Sequence, residues 1–479
     1  MEQLERLIEH IAARVNVNLR KPYVDVWPYV RNIVPRQSHN LYYAFYALST
    51  RHPSYFRFKR SSLAGTYFLG RCDVDQSVLY KSDIRGDELK HKGRVIQVEG
   101  AGVKLVDDEI IAIKNSFLVK TLVHNYSHDP ENLEYFKILN TVALHYSNIH
   151  GAPMEGCFLG PFATVDLSVA RNCDVGAYSY VQAGEIAHER IAPGRVWVRV
   201  DGVCEFDYSF PEGVVEKYVR MGEDMRPVGE FMDFFEERKE EFVPIYSSVN
   251  PDCCVFCPDD AYVSPYAVIK GNCAIGDRVL VSQRAYIENS ILGEGANAQE
   301  HCYIIDSTYE GLDVTAHGGK VIHCDMGRKV FTGFNSFLRG KPGARITIGE
   351  GSIVMPHTIM DAEEPIVIPA KSLVWGYIRK QEDLELNSIA LAEMAKIKAI
   401  TLGNMTFQGL GSKFVEAFKS RIEHILEANG AYYDGSEDTR GHAQKTQNVS
   451  YNILQPYQDG GLLGMFPNIT IGPDLPNDF

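Results

Sequence analysis

VSPYAVIKGNCAIGDRVLVSQRAYIENSILGEGANAQEHCYI, residues 263–304, returns to an apolar residue at every sixth place. The series is Val263, Ile269, Ile275, Val281 and Ile287, then, after one dropped residue, Leu292, Ala298 and Ile304. Four places beyond these the residue is often small: Ala267, Cys273, Ala285, Ala296 and Cys302. Gly276 and Gly293 each follow the aliphatic residue directly. A period of 3.6 marks a helix and a period of 2 a strand. A longer period that carries one aliphatic and one small residue marks flat-sided turns stacked on one another. Three such hexads close a triangular coil of about 18 residues, aliphatic side chains inward and small residues at the corners. Neighbouring coils then pair as parallel strands about 4.8 Å apart.

The same spacing extends outward in both directions. Upstream, Cys157, Ala163, Val169, Val175 and Val181 keep it, with Gly176 and Ser179 in the expected places, until it stops at Glu185. Downstream, Ile348, Val354, Met360 and Ile366 continue it, followed by Ile368 and Val374. Cys72, Val78 and Ile84 form a shorter echo. Around these runs the chain divides by pattern. Residues 1–60 form a cap that opens with an amphipathic helix (Leu4, Leu7, Ile8, Ile11, Val15) and continues rich in aromatics. Residues 61–150 read as an α/β region with a short repeat-like segment. In it Asp129 caps a helix, Pro130 opens it, and Leu133, Phe136, Ile138 and Leu139 form its apolar face. The first repeat segment occupies 151–185, and an insertion, 186–250, holds a hairpin (RVWVRVDGVCEFDYSF) and a charged helix from Pro211 to about Phe242. The main repeat runs over 251–381. Helices follow in 382–430, one with Leu384, Ile389, Leu391, Met394, Ile397 and Ile400 as its apolar set, a second over 412–428 ending at Asn429-Gly430. Residues 431–479 read as an extended tail docked on a neighbouring subunit.

Composition excludes several classes of function. The chain has 479 residues with a formal net charge of -14 and 45% apolar residues. So acidic a chain is a poor electrostatic partner for nucleic acid. No apolar run reaches the 18 or so residues that a membrane span needs. MEQLERLIEHIAARV is charged and helical in period, unlike a secretory leader. A cytoplasmic protein with reduced thiols is expected, its ten cysteines serving mostly as small core residues. No G-x-G-x-x-G in a βαβ unit, no G-x-x-x-x-G-K-[ST] and no G-x-S-x-G occurs.

The segments IGDRVLVSQRAY, LGEGANAQEHCY and VGAYSYVQAGEI resemble the hexapeptide-repeat superfamily, and the likeness covers about 157–185 and 263–381. Composition does not set the hand of a coil, and parallel crossovers are ordinarily right-handed. The left hand is what the resemblance implies. The expected fold is therefore mainly β: a left-handed parallel β-helix with an α/β N-terminal region, an inserted hairpin-helix segment and C-terminal helices. The superfamily also implies a homotrimer, whose threefold contact covers the flat coil faces. It does not fix the chemistry, because the same coil carries acyltransferases, gamma-class carbonic anhydrases and accessory domains of nucleotidyltransferases. No nucleotidyltransferase signature precedes the coil here.

Residues 315–338, TAHGGKVIHCDMGRKVFTGFNSFL, interrupt the repeat and hold His317 and His323 around a Gly-Gly. In the superfamily's acyltransferases a histidine on the coil surface is the general base for the attacking amine or hydroxyl. A neutral imidazole near pKa 6.5 suits that task. His317 is the first candidate and His323 the second, with nearby backbone N–H groups to stabilise a tetrahedral oxyanion and the Gly pair to let backbone approach a substrate closely. The plainer alternative is that both histidines satisfy a turn. The stretch also resembles the gamma carbonic anhydrase zinc segment, with two departures. The histidines are six apart instead of five, and two coils earlier stands Val281, with His301 out of register. No metal ligand is assigned.

Asn335, His357 and Asp361 are candidate substrate contacts, against an alternative as surface polar groups. Arg379 and Lys380, leaving the last coil, occupy the place where related acyltransferases meet the phosphates of coenzyme A, against an alternative as a solvated basic pair. Cys253, Cys254 and Cys257 make a C-x-x-C without the second pair that structural zinc uses, and read as core or coil-entry thiols. EERKEE, residues 236–241, reads as a solvated helix face. Three functions follow. The leading one is an acyltransferase that moves an acyl group from acyl-CoA or an acyl-carrier thioester to an amine or hydroxyl of a sugar- or amino-acid-like acceptor, with no tightly bound cofactor. The others are a carbonic-anhydrase-like zinc enzyme and a non-catalytic trimeric scaffold.

Overall fold

The structure, a computed structural model, describes residues 2–20, 24–41, 44–48, 55–98, 100–125, 132–246, 256–446, 450–454 and 469–471. Cys253, Cys254, Asp129 and Pro130 lie outside them. The chain divides into two compact units: Met1–Pro193 with Val215–Glu237 and Val449–Phe479, and Gly194–Val214 with Arg238–Asn448. Each is a stack of coils made of short parallel strands, and helices are a minor part.

In the second unit, from Ile275 to Leu338, the hexad rule holds with one shortened side per coil. Ile275, Val281 and Ile287 point inward, and the next coil starts at Leu292, five residues on; Ala298, Ile304 and Tyr309 repeat the step. The rungs Ala274, Ile291, Thr308 and Asp325 therefore pair at intervals of 17 residues, not 18. The dropped residue after Ile287 thus recurs in each coil from Ile275 to Leu338. Corners are marked by left-handed backbone. One corner column holds Arg284, His301, Gly318, Asn335 and His357, all with φ between 50 and 72°. Another holds Arg278, Gly295, Leu312, Lys329 and Gly351. Asn, His and Gly tolerate this conformation best, which explains their recurrence at the corners.

The first unit is built on a shorter coil. Val142, Phe158, Asp174 and Arg190 pair rung on rung, 16 residues apart. Two sides of each triangle are shortened, so the inward series is Leu159, Val165, Ala170, Val175, Val181, Ile186 and Ile191, all buried. Val169, which the strict spacing of six places inward, is half-buried, and Ala170 takes the interior site in register with Met154 and Ile186. For the same reason the coil does not stop at Glu185: Gly184–Ala187 and Arg190–Ile191 still pair with the rung before.

The region 61–150 is also coil. Its strands, from Tyr67–Leu69 to Asn148–His150, are parallel rungs of the same stack apart from the antiparallel hairpin Val95–Val98 with Ala101–Lys104, and its described residues hold no helix. The expected helix at 129–139 is the strand Tyr135–Leu139, whose alternate residues Phe136 and Ile138 are buried. Rung pairing over its whole length with Ile110–Lys114 outweighs a weak helical pattern. The amphipathic helix Glu2–Leu19 is present, and its apolar face lies on the coil wall formed by Val78, Phe117, Val142 and Phe158. A helix thereby covers one flat face of this unit from within the chain.

The charged helical segment 211–242 is broken into Val214–Tyr218 and Glu230–Glu236. Phe231 and Phe235 of the latter lie against a corner column of aromatics, Tyr146, Phe162 and Tyr178. Two described segments of the tail pair with strands of the first unit. Ser450–Leu454 adds antiparallel to Ala44–Leu48, and Ile469–Ile471 to Phe56–Lys59. These pairings close the open edges of the first coils.

In the second unit the hairpin Arg195–Val200 with Cys204–Ser209 is as expected, and Met405–Gly409 extends it. The long helix read after Leu384 is instead two single turns, Leu384–Asn387 and Leu391–Met394, separated by the strand Ser388–Ala390. That strand pairs antiparallel with Ser372–Val374 and caps the last coil, a tertiary contact that overrides the local pattern. Gly411–Asn429 is the expected second helix, ending at the left-handed Gly430.

Candidate active site

The second unit places His317 at a coil corner, just before the left-handed Gly318. A coil of 17 residues puts Glu300 directly beneath it. The two are almost wholly buried, and His317 Nδ1 lies 2.8 Å from Glu300 Oε2. One rung above, the ring of Phe334 sits 5.4 Å from the imidazole. Asn335 follows in the same corner column and donates its backbone N–H to the carbonyl of His317. Its Oδ1 lies 2.2 Å from where a Cβ on residue 318 would fall, so a side chain there would have to displace the Asn335 amide.

Lys320 begins the strand that leaves this corner. It is buried, donates from Nζ to Asn335 Oδ1 at 3.5 Å, and burial pushes its ammonium down to about 7. The corner therefore combines a carboxylate-backed imidazole, a weakly basic lysine and an amide. The N–H groups of the Gly pair itself are not open to an oxyanion. Gly318 N–H donates to Glu300 O and Gly319 N–H to Ala316 O, so both are already used.

The other candidates are distributed unevenly. His357 is buried in the same corner column as Gly318 and Asn335, its N–H bonded to Phe334 O. His323 lies at the far end of the strand Lys320–Ile322, on the next corner, with Nε2 3.7 Å from Asp306 Oδ2. Asp361 does not join His357: it is held by Arg339 through two bonds of 2.9 and 2.7 Å. Arg379 is exposed and paired with Glu363 at 3.0 Å, and the N–H groups of Arg379 and Lys380 are tied to Asp383. Cys257 is half-buried, with Sγ 3.5 Å from Pro258 O.

The first unit carries a second cluster that the sequence reading missed. Arg85, His124, His150 and Asp166 occupy one column on consecutive rungs. His150 Nδ1 is 2.8 Å from Asp166 Oδ1, and Tyr180 donates to the other oxygen, Oδ2, at 2.5 Å. His124 Nε2 is 3.4 Å from Asp87 Oδ1 and its ring meets His150 edge-on at 4.9 Å. Arg85 pairs with Asp87 in turn. Burial opposes charge on His124, but the Asp87 carboxylate outweighs it and raises the imidazole above its ordinary value. The signal that would have found these residues is the coil length. An interval of 16 aligns His150 with Asp166, and an interval of 17 aligns Glu300 with His317.

Comparison with known proteins agrees with the coil. The family described as "Hexapeptide repeat including loop" matches residues 101–223. The crystal structure of a "putative acetyltransferase" from Desulfovibrio desulfuricans G20 is 51% identical, covers 99% of each chain and superposes with a TM-score of 0.93. No curated protein matches. Among the described residues no helix is long and apolar enough to cross a membrane. With half its residues identical to that protein over essentially its whole length, the chain belongs to the hexapeptide-repeat superfamily of acyltransferase-like proteins.

Proposed function

We propose that the chain is an acyltransferase that uses acyl-CoA, with His317 as general base. The observation that carries this reading is the buried His317–Glu300 pair at 2.8 Å. A buried carboxylate this close to Nδ1 stabilises the imidazolium formed during the reaction. His317 takes the proton from the acceptor amine or hydroxyl as that group attacks the thioester carbonyl. The tetrahedral intermediate collapses, the C–S bond breaks, and the imidazolium returns the proton to the leaving thiolate. Lys320, buried beside Asn335, supplies positive charge for the oxyanion in place of the backbone amides. Asn335 and His357, on the same corner, are assigned to the acceptor, and His323 stands as the alternative base. Arg379 and Lys380 are assigned to the phosphates of coenzyme A. A left-handed coil, a trimeric assembly and a cytoplasmic location complete the proposal. The 51% identical "putative acetyltransferase" supports the reaction class.

The test is calorimetric titration with coenzyme A and acetyl-CoA, followed by thiol release with a panel of amino sugars and amino acids. Removing a general base costs about 10²–10⁴ in rate, so His317→Ala is expected to lose that much in kcat/KM. Glu300→Gln should lose less and shift the pH profile of kcat. Full turnover by His317→Ala ends the proposal. Absence of donor binding by a trimer would instead favour the non-catalytic scaffold, and a monomer would count against both the site and the assembly.

A further inference from the structure

We propose that His124 and His150 of the first unit bind a divalent transition-metal ion of the zinc class. Both imidazoles project from one column of the coil wall on consecutive rungs, so the fold itself sets their spacing. Their ligand nitrogens lie within 4.8 Å of one another. Two nitrogens on one tetrahedral zinc at about 2.0–2.1 Å stand roughly 3.4 Å apart, which small ring rotations supply. Their rings meet edge-on, so the nitrogen-bearing edges are not shielded by stacking.

The surroundings fit a cation. Each imidazole has its own carboxylate: Asp166 at 2.8 Å from His150 and Asp87 at 3.4 Å from His124. Metal-binding histidines are commonly held this way, with a carboxylate on the nitrogen away from the ion, and Tyr180 fixes Asp166 in turn. Glu88 adds a third carboxylate 4.0 Å from His124, and Arg85 in the same column is engaged with Asp87. Asp166 and Asp87 are almost fully buried, and the His150 side chain is 14% exposed, so the ion enters at His150. Two imidazoles favour zinc, cobalt, nickel or copper over magnesium and calcium. Two protein nitrogens leave coordination positions open to water, so the site is an exchangeable one, weaker than a four-ligand structural zinc. The inference does not depend on acyl transfer, because the ion is read without any acyl donor.

The experiment strips the full-length protein with a chelator, then titrates Co²⁺ while following the visible absorption of the bound ion, with Zn²⁺ by calorimetry in parallel. One ion per chain is expected. His150→Ala and His124→Ala should each weaken binding at least 10-fold, and Asp166→Asn by about 10–100-fold, the range seen when the outer partner of a metal-bound histidine is removed. His188→Ala, an exposed corner residue of the same unit, should change nothing. His124→Gln and His150→Gln serve where alanine impairs folding. If the unaltered protein takes up no Co²⁺, or if the His124→Gln/His150→Gln double variant binds it equally well, the proposal is overturned.

Discussion

The two units apply one packing rule at two coil lengths. In the middle coils of the second, one side in three is shortened and the aliphatic column runs Ile275, Val281, Ile287, Leu292, Ala298, Ile304. In the first, two sides in three are shortened and the column runs Val165, Ala170, Val175, Val181, Ile186, Ile191. Both close a triangle and stack it in parallel register, so what the fold requires is one inward residue per side, not a fixed interval. The polar residues follow the same rule. Groups one coil apart in sequence become neighbours in space, which is how Glu300 meets His317 and Asp166 meets His150.

The sharpest way to break this comparison is a pair of adjacent substitutions. Ala170 is fully buried between Met154 and Ile186, whereas Val169 is half-exposed. Ala170→Asp buries an unpaired carboxylate and should cost about 4 kcal/mol or more, enough to abolish folding of a marginal chain. Val169→Asp should cost about 1 kcal/mol or less. Denaturant midpoints decide it. Equal losses would return the first unit to a strict interval of six.

That pair also shows how much was legible. The second unit's coil was readable because a single shortened side leaves long unbroken runs of six. The first was misread around Val169 and stopped at Glu185 because two shortened sides bring every second count out of phase. His317, Asn335 and His357 were singled out because the histidines looked like an interruption of the repeat; the rungs run on through 315–338 at 17-residue intervals, and the three lie at one corner column. Glu300, Lys320, His124, His150 and Asp166 were missed. Nothing local distinguishes a buried catalytic-type carboxylate from a solvated one, and only the coil length reveals its partner. The helix at 129–139 failed for a different reason: strand pairing with distant residues decided the conformation, and no local pattern carries that.

A second contrast concerns charge inside the coil. Burial holds the Lys320 ammonium near 7, beside the Cys302 thiol and Asn335, whereas an unfolded lysine titrates near 10.4. The folded chain therefore binds fewer protons than the unfolded one between about pH 7 and 10. Stability conferred on the protein by deprotonating this group rises with pH through that window and levels off below it. Buried tyrosines and thiols oppose this at high pH, because folding raises their values. The informative quantity is the difference between the unaltered protein and Lys320→Met. That difference should change by up to about 1.4 kcal/mol per pH unit above pH 7, read from urea midpoints at each pH. A flat difference would mean that Lys320 stays charged in the fold.

The smallest effect separates backbone strain from crowding at the proposed catalytic corner. Gly318 and Gly184 share nearly the same left-handed backbone, φ 72° and 70°. A Cβ at Gly184 meets nothing within 4 Å, whereas one at Gly318 falls 2.2 Å from Asn335 Oδ1. Gly184→Ala therefore measures the conformational cost alone, about 1 kcal/mol. Gly318→Ala adds the displacement of Asn335 and should cost about 1–2 kcal/mol more, while also lowering turnover if Asn335 holds the acceptor. If the two substitutions cost the same, the corner is loose enough for Asn335 to move freely. The close approach of residues 318 and 335 would then be packing without a positioning role.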